Sequence, residues 1–254
     1  MIDAWLDLPI PLMVLAAAIL FASSAILFNW LMHHSPAAER IASYRGIVGP
    51  FFVSISVLFA LFLTFLAADV WDRKTRASHV VQSERDALAG LVALARTSPV
   101  TAGAITDAVE SYVNSAIQDE WRHMRNQKSS PQTAERMDRL LHTVATASSS
   151  YAAAVHGAML QKAVDVGEAR ASRIALSHDR AETLKWLAVI VLALLTQLAL
   201  AAVHLDKTAP QRLALALFSV SAVFAICVVA AYERPFDGPL SVPPDPLAEL
   251  IRSS

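Results

Sequence analysis

Apolar residues gather along this chain in four long blocks separated by polar stretches of very different length. Positions 8–38, 46–68, 186–205 and 213–232 contain no Asp, Glu, Lys or Arg. Each block reaches the roughly 20 residues that a helix needs to cross a bilayer. The pattern predicts membrane helices over residues 12–32, 47–68, 186–205 and 213–232. Few polar groups interrupt them: Asn29 in the first, Ser54, Ser56 and Thr64 in the second, Gln197 and His204 in the third. The flank Asp3-Ala4-Trp5-Leu6-Asp7 is acidic, where a signal peptide opens on basic residues. A retained membrane helix is therefore expected there.

Between the second and third blocks the spacing becomes that of half-buried helices. Val80, Val81, Ala87, Leu88, Leu91, Val92 and Ala95 recur at helical intervals. Ser98-Pro99 then places an N-cap residue before a proline suited to the first helical position. The helix it opens should run to about residue 127, with Ile105, Val109, Tyr112, Val113, Ile117 and Trp121 on one face. Ser130-Pro131 repeats the signal ahead of Met137, Leu140, Leu141 and Val144. A longer helix is expected from about residue 150 through Val155, Met159, Val166, Ile174 and Leu176, running directly into the third span. After the fourth span the prolines at 235, 239, 243, 244 and 246 deny a continuous helix, because proline lacks the N–H and fixes φ. An extended, turn-containing tail is expected. No strand pattern is present. The expected organisation is an all-α polytopic membrane protein: membrane helices over 1–69, a cytoplasmic helical region over 70–185, two further membrane helices over 186–232, and a proline-rich tail over 233–254.

Composition agrees with that map. Hydrophobic residues make up 55% and charged residues 17%, against about 25% charged in soluble domains. An ordinary soluble enzyme is excluded. Lys and Arg total 21 against 22 Asp and Glu, which gives no basic surplus for nucleic acid. Cys227 is the only cysteine, so a disulfide scaffold is excluded too. Charge also sets the expected topology. Arg73, Lys74, Arg76 and Arg85 follow the second span, and Arg170, Arg173, Arg180 and Lys185 precede the third. The short connections carry only Arg40 and Arg45, and Lys207 and Arg212. The positive-inside bias puts the central segment and both termini in the cytoplasm.

No catalytic, phosphate-loop or dinucleotide motif occurs; neither enzyme activity nor a cofactor is expected. His33-His34 are too few for a specified metal site, and no metal is assigned. Glu84, Glu110, Asp119 and Glu120 have Arg85, Arg122 and Arg125 close in sequence. They fit structural ion pairs or a functional cavity. The second span is richer: Phe51, Phe52, Phe59, Phe62 and Phe65 lie within 15 residues, half of the chain's ten phenylalanines. Phe51, Ile55, Phe59 and Phe62 form one stripe at spacings of four, four and three. Such a stripe serves either as lipid-facing and helix-packing bulk or as a hydrophobic constriction that gates by dewetting. Asp69 and Asp72 follow at the end of that span. Repeated around an axis they would ring a pore mouth with negative charge; alternatively they are flanking charges beside Arg73 and Lys74.

The order of landmarks resembles the bestrophin-like family of bacterial membrane proteins. The matching elements are Gly49-Pro50 opening the second span, Glu84-xx-Ala87-Leu88-xx-Leu91, Tyr112-Val113 followed by Glu120-Trp121, Arg170-xx-Arg173-Ile174 before the third span, and Glu233-Arg234-Pro235-Phe236-Asp237-Gly238 after the fourth. The layout is also similar to that of bestrophin ion channels, in which a Pro-Phe-Gly segment follows the fourth helix; here Asp237 is inserted. The resemblance implies a homo-oligomer of five subunits in the bacterial inner membrane, surrounded by lipid and passing small inorganic ions. It implies a neck on the second helix, to which Phe51, Ile55, Phe59 and Phe62 correspond by position. The tail lacks a dense acidic run, so calcium gating is not expected. Asp69 and Asp72 tilt the expected preference towards cations. The competing reading is a membrane-anchored interaction or signalling protein without a pore.

Overall fold

The structure, a computed structural model, describes residues 2–36, 48–179, 181–204, 207–237 and 240–252. The described residues are helical throughout, with turns between the helices and no strand. They divide into two compact units, Met1–Trp71 with Arg180–Glu233, and Asp72–Asp179 with Arg234–Ser254.

The first unit holds α1 (Ile2–Leu6), α2 (Ile10–His33), the N-terminal part of α3 (Val48–Ala95), α8 (Thr183–Val203) and α9 (Thr208–Ala231). The first apolar block thus forms one unbroken helix from Ile10 to His33, with the short α1 ahead of it. Pro9 caps α2 in an extended conformation and the prolines permit a helix start there. Trp5 fixes the short α1 by donating its indole N–H to the Met13 carbonyl at 3.0 Å and meeting Trp186 edge-on at 5.7 Å. Among the described residues, four helices are long and apolar enough to cross a membrane. Leu15, Ile19, Ile26, Val57, Leu217, Val220 and Phe224 point outward, as a bilayer solvent allows. The inside carries polar ties instead. Gln197 Nε2 donates to Ser219 Oγ at 2.8 Å and to the Phe21 carbonyl at 3.0 Å, and Ser24 Oγ donates to Gln197 Oε1 at 2.6 Å. Gln211 Oε1 accepts from Asn29 Nδ2 at 2.7 Å and from His33 Nε2 at 2.8 Å. Such side-chain bonds hold membrane helices in register where no hydrophobic drive between them exists.

The second unit contains the rest of α3, then α4 (Pro99–Ser115), a π turn (Ala116–Glu120), α5 (Trp121–Arg125), α6 (Pro131–Thr146), a 3₁₀ turn (Ala147–Ser150), α7 (Ala153–His178) and the tail helix α10 (Asp245–Arg252). The predicted starts at Ser98-Pro99 and Ser130-Pro131 are both present. Only Ser130 completes the cap, accepting from the Thr133 N–H at 3.1 Å. The α4–π–α5 run ends where expected, at Gln127 with φ of 55°, the left-handed exit common at helix C-termini. Its core is built from Val81, Leu88, Leu91, Ile105, Val109, Tyr112, Leu140, Met159 and Val166, all at most 2% exposed.

Three details differ from the sequence expectation. The second span does not stop near residue 68: α3 continues for 48 residues, since neither proline nor glycine occurs between 51 and 89. The helix expected to enter the third span unbroken is interrupted. Asp179 and Glu182 are extended, and the Ala181 N–H donates to the buried Glu233 carboxylate at 2.6 Å rather than to a helical carbonyl. The tail turns as predicted, with the Val242 N–H donating to the Pro235 carbonyl at 2.7 Å. It then forms α10, whose Leu247 and Leu250 are buried.

Candidate functional site

The second unit encloses a charged core. Glu84 on α3, Glu120 at the end of the π turn and Arg173 on α7 are each 0% exposed. Arg173 forks onto Glu84, Nε to Oε2 at 2.7 Å and Nη2 to Oε1 at 3.1 Å, while Nη2 also reaches Glu120 Oε2 at 3.0 Å. Its Nη1 lies 3.2 Å from Met124 Sδ, and its guanidinium sits 4.7 Å from the Trp121 ring centroid. Arg170, one turn earlier, grips Glu120 through Nη2 at 2.5 Å and Nε at 3.1 Å. Tyr112 OH donates to Glu84 Oε1 at 2.5 Å. The Ser130 N–H donates to Glu120 Oε1 at 3.4 Å, and its hydroxyl donates to Asp119.

Two carboxylates and two guanidiniums cancel, so the cluster is neutral overall. Burial alone would pull the Arg173 pKa down; Glu84, with Tyr112 and Glu120, outweighs it and holds the pKa above its ordinary value. The Tyr112 phenol is pushed well above 10.0, first by burial and then by Glu84. Nearly every donor and acceptor is already spoken for, and neither an activated nucleophile nor an open coordination position is present. The arrangement ties α3, the α4–π–α5 run and α7 into one geometry. Buried ion pairs add little net stability over apolar packing, but once built they are costly to break.

Trp121 extends this cluster to the tail. Its indole N–H donates to the Val242 carbonyl at 3.3 Å, and its ring meets Phe236 edge-on at 5.9 Å. Pro235 and Phe236 are both buried. Of the landmark residues named from the sequence, Glu84, Glu120, Trp121, Arg170, Arg173 and Phe236 are brought together in one site, with Pro235 supporting the turn; Gly238 lies outside the described residues. The expected ion partners are a correction. Arg85 pairs with its neighbour Asp86 on the surface at 2.8 Å, while Arg122 and Arg125 are exposed. The true partners lie 50 to 89 residues away. Met124, Ser130 and Val242 are participants that the sequence did not mark for this role, although Ser130 was visible as a cap. Among the described residues, no three His, Cys, Asp or Glu groups gather to hold a metal.

The second span presents a different surface. Phe51 is 60% and Phe62 42% exposed, whereas Ile55 is buried. Phe59 is half-buried against Phe218, ring centroids 6.0 Å apart. The stripe therefore turns through the boundary between the packed and open faces of α3. Asp69 accepts from Lys185 Nζ at 2.9 Å, and Asp72 pairs with Arg76 at 3.0 Å. The basic residues flanking the spans are also redistributed: Arg170 and Arg173 are spent in the charged core, and Arg73 is buried 3.8 Å from Asp179.

Comparison with known proteins joins these features. The model of the bestrophin-like domain matches residues 19–247. The chain belongs to the bestrophin-like family. The match covers both the second span and the charged core with its tail latch. Among solved structures, two variants of a bacterial bestrophin homologue from Klebsiella pneumoniae share its fold. One has a TM-score of 0.74 at 15% identity, covering 94% of this chain and 97% of that one. The other has a TM-score of 0.71 at 15% identity, covering 96% and 98%. At that identity the likeness is one of fold: four membrane-crossing helices and a helical unit within an all-α bestrophin-like chain. A search of the curated proteins finds no match.

Proposed function

We propose that this bestrophin-like protein is a passive ion channel of the bacterial inner membrane, working as a homo-oligomer of five subunits with both termini and the second unit in the cytoplasm. Family membership over residues 19–247 carries this reading. The neck is assigned to the second span, with Phe51 and Phe62 on its open face and Ile55 and Phe59 at the edge where that face meets the packed one. Rings of such side chains around an axis make a constriction that excludes water until it widens. No charged residue occurs in the four apolar blocks, so selectivity must come from the mouths. Asp69 and Asp72 supply a weak preference for cations, weak because each faces a cation of its own chain.

Planar-bilayer recording of the purified oligomer tests the proposal. The expected result is ohmic or gated single-channel current carried by small ions. A well-folded oligomer that stays silent across ions and pH would refute it, as would a low-order oligomer without an axial passage, which fits an anchored interaction protein instead. Selectivity is tested by Asp69→Asn with Asp72→Asn: the reversal potential in asymmetric salt should move towards the anion side, and an unmoved potential removes the mouth assignment.

A further inference from the structure

A cleft of about 830 Å³ runs within the first unit between α2 and α9. It extends from Ile10 and Ala231 at one end to Asn29 and Arg212 at the other. Both helices have 24 residues, so the cleft follows a complete membrane crossing of about 30 Å of hydrocarbon. Its walls between the ends are almost wholly apolar. Ala22 and Ala216 leave it open because their side chains stop at Cβ, and both are exposed. Ser219 is the polar exception, but its hydroxyl already donates to the Leu215 carbonyl and accepts from Gln197.

The two ends differ in charge. Arg212 is exposed and makes no hydrogen bond or ion pair among the described residues. The described acids of this unit gather at the opposite end. Asp3 and Asp7 precede Ile10, Glu233 follows Ala231, Asp69 bonds Lys185, and Thr183 beside Glu182 bonds Asp3. A second copy of the chain standing parallel in the same membrane therefore brings no described carboxylate to Arg212. An amphiphile with one anionic end and a long apolar body matches both the charge and the length of the cleft.

We propose that the cleft is a binding site for an anionic phospholipid of the bilayer, with the headgroup phosphate on Arg212 and an acyl chain laid between α2 and α9. The assignment does not depend on ion conduction. Native mass spectrometry of the purified oligomer, exchanged with equal phosphatidylglycerol and phosphatidylcholine of the same acyl chains, reads it directly. The wild type should retain phosphatidylglycerol about fivefold over phosphatidylcholine, the ratio expected for one basic residue at an anionic headgroup. Arg212→Gln should bring the ratio to about one. Ala22→Phe with Ala216→Phe should reduce retention of both lipids while the unfolding temperature holds. Equal retention by the wild type, or a preference that survives Arg212→Gln, would overturn the proposal. A neighbouring subunit as occupant is separated by labelling. Val220 lines the cleft and is 70% exposed, so Val220→Cys in a Cys227→Ala background should react with a maleimide after delipidation and be protected by phosphatidylglycerol. Equal shielding with and without lipid assigns the cleft to a second copy and refutes the lipid.

Discussion

Replacing Arg173 with methionine keeps an unbranched stem of similar length but removes the guanidinium fork from between two buried carboxylates. The consequences for those carboxylates are unequal. Glu84 loses both of its ionic bonds, at 2.7 and 3.1 Å, and keeps only the Tyr112 hydroxyl. Glu120 loses one bond at 3.0 Å but keeps Arg170 at 2.5 and 3.1 Å and the Ser130 N–H. Stranding one partner of a buried pair costs about 3–5 kcal/mol, and most of that falls on Glu84. In the Arg173→Met background, Glu84→Gln should therefore recover most of the loss and Glu120→Gln little. A chain with two compact units does not unfold in one step. The measurement is hydrogen exchange of peptides from 105–125 and 159–176, which reads the opening free energy of the second unit locally. A loss below about 1 kcal/mol, or equal rescue by the two glutamines, would refute the reasoning.

Other outcomes follow from the same geometry. Tyr112→Phe removes a donor to a buried carboxylate and should cost about 1.5–3 kcal/mol in the second unit by the same exchange measurement. Because the folded phenol resists ionisation above 10.0 while the unfolded one does not, the Tyr112 contribution is fully present below that pH and declines above it; an unfolding series from pH 8 to 11 should show a weaker alkaline loss in the phenylalanine variant. Trp121→Phe keeps an aromatic edge for Phe236 but drops the N–H to Val242, a change of about 1 kcal/mol that should speed proteolytic cleavage near residues 240–243. Phe62→Ala should raise single-channel conductance with little effect on folding. Phe59→Ala, which empties a half-buried contact with Phe218, should instead lower the local opening free energy of the first unit, read by hydrogen exchange, by about 2 kcal/mol since the ring is not fully enclosed.

Much of the helical layout was legible because the bilayer imposes long charge-free runs that no soluble core requires. The Ser98-Pro99 and Ser130-Pro131 starts were legible because proline at the first helical turn forfeits no hydrogen bond. The charged core was legible only as a set of landmarks. Glu84 and Arg173 are 89 residues apart, and sequence proximity favours Arg85, Arg122 and Arg125, which remain on the surface. The break between α7 and α8 has no proline or glycine to announce it; a carboxylate 52 residues away, Glu233, captures the amide that would have continued the helix. On α3, Phe59 and Phe62 share the same residue type and the same stripe, yet only tertiary packing separates the one against Phe218 from the one left open.

The π turn at Ala116–Glu120 makes the charged core a matter of counting as well as chemistry. An α-helix advances about 100° per residue, so an unbroken helix would carry Trp121, nine positions past Tyr112, about half a turn away onto the opposite face. The wider turn absorbs one residue and rotates everything after it back by about 100°, which returns Glu120, Trp121 and Met124 to the side of Tyr112. All four are buried. A chain one residue shorter at this point would reach the same phasing with an ordinary α-helix, whereas the present length without the wide turn would address its indole to the opposite face. At this length the wide turn is therefore as much a part of the latch as Arg173.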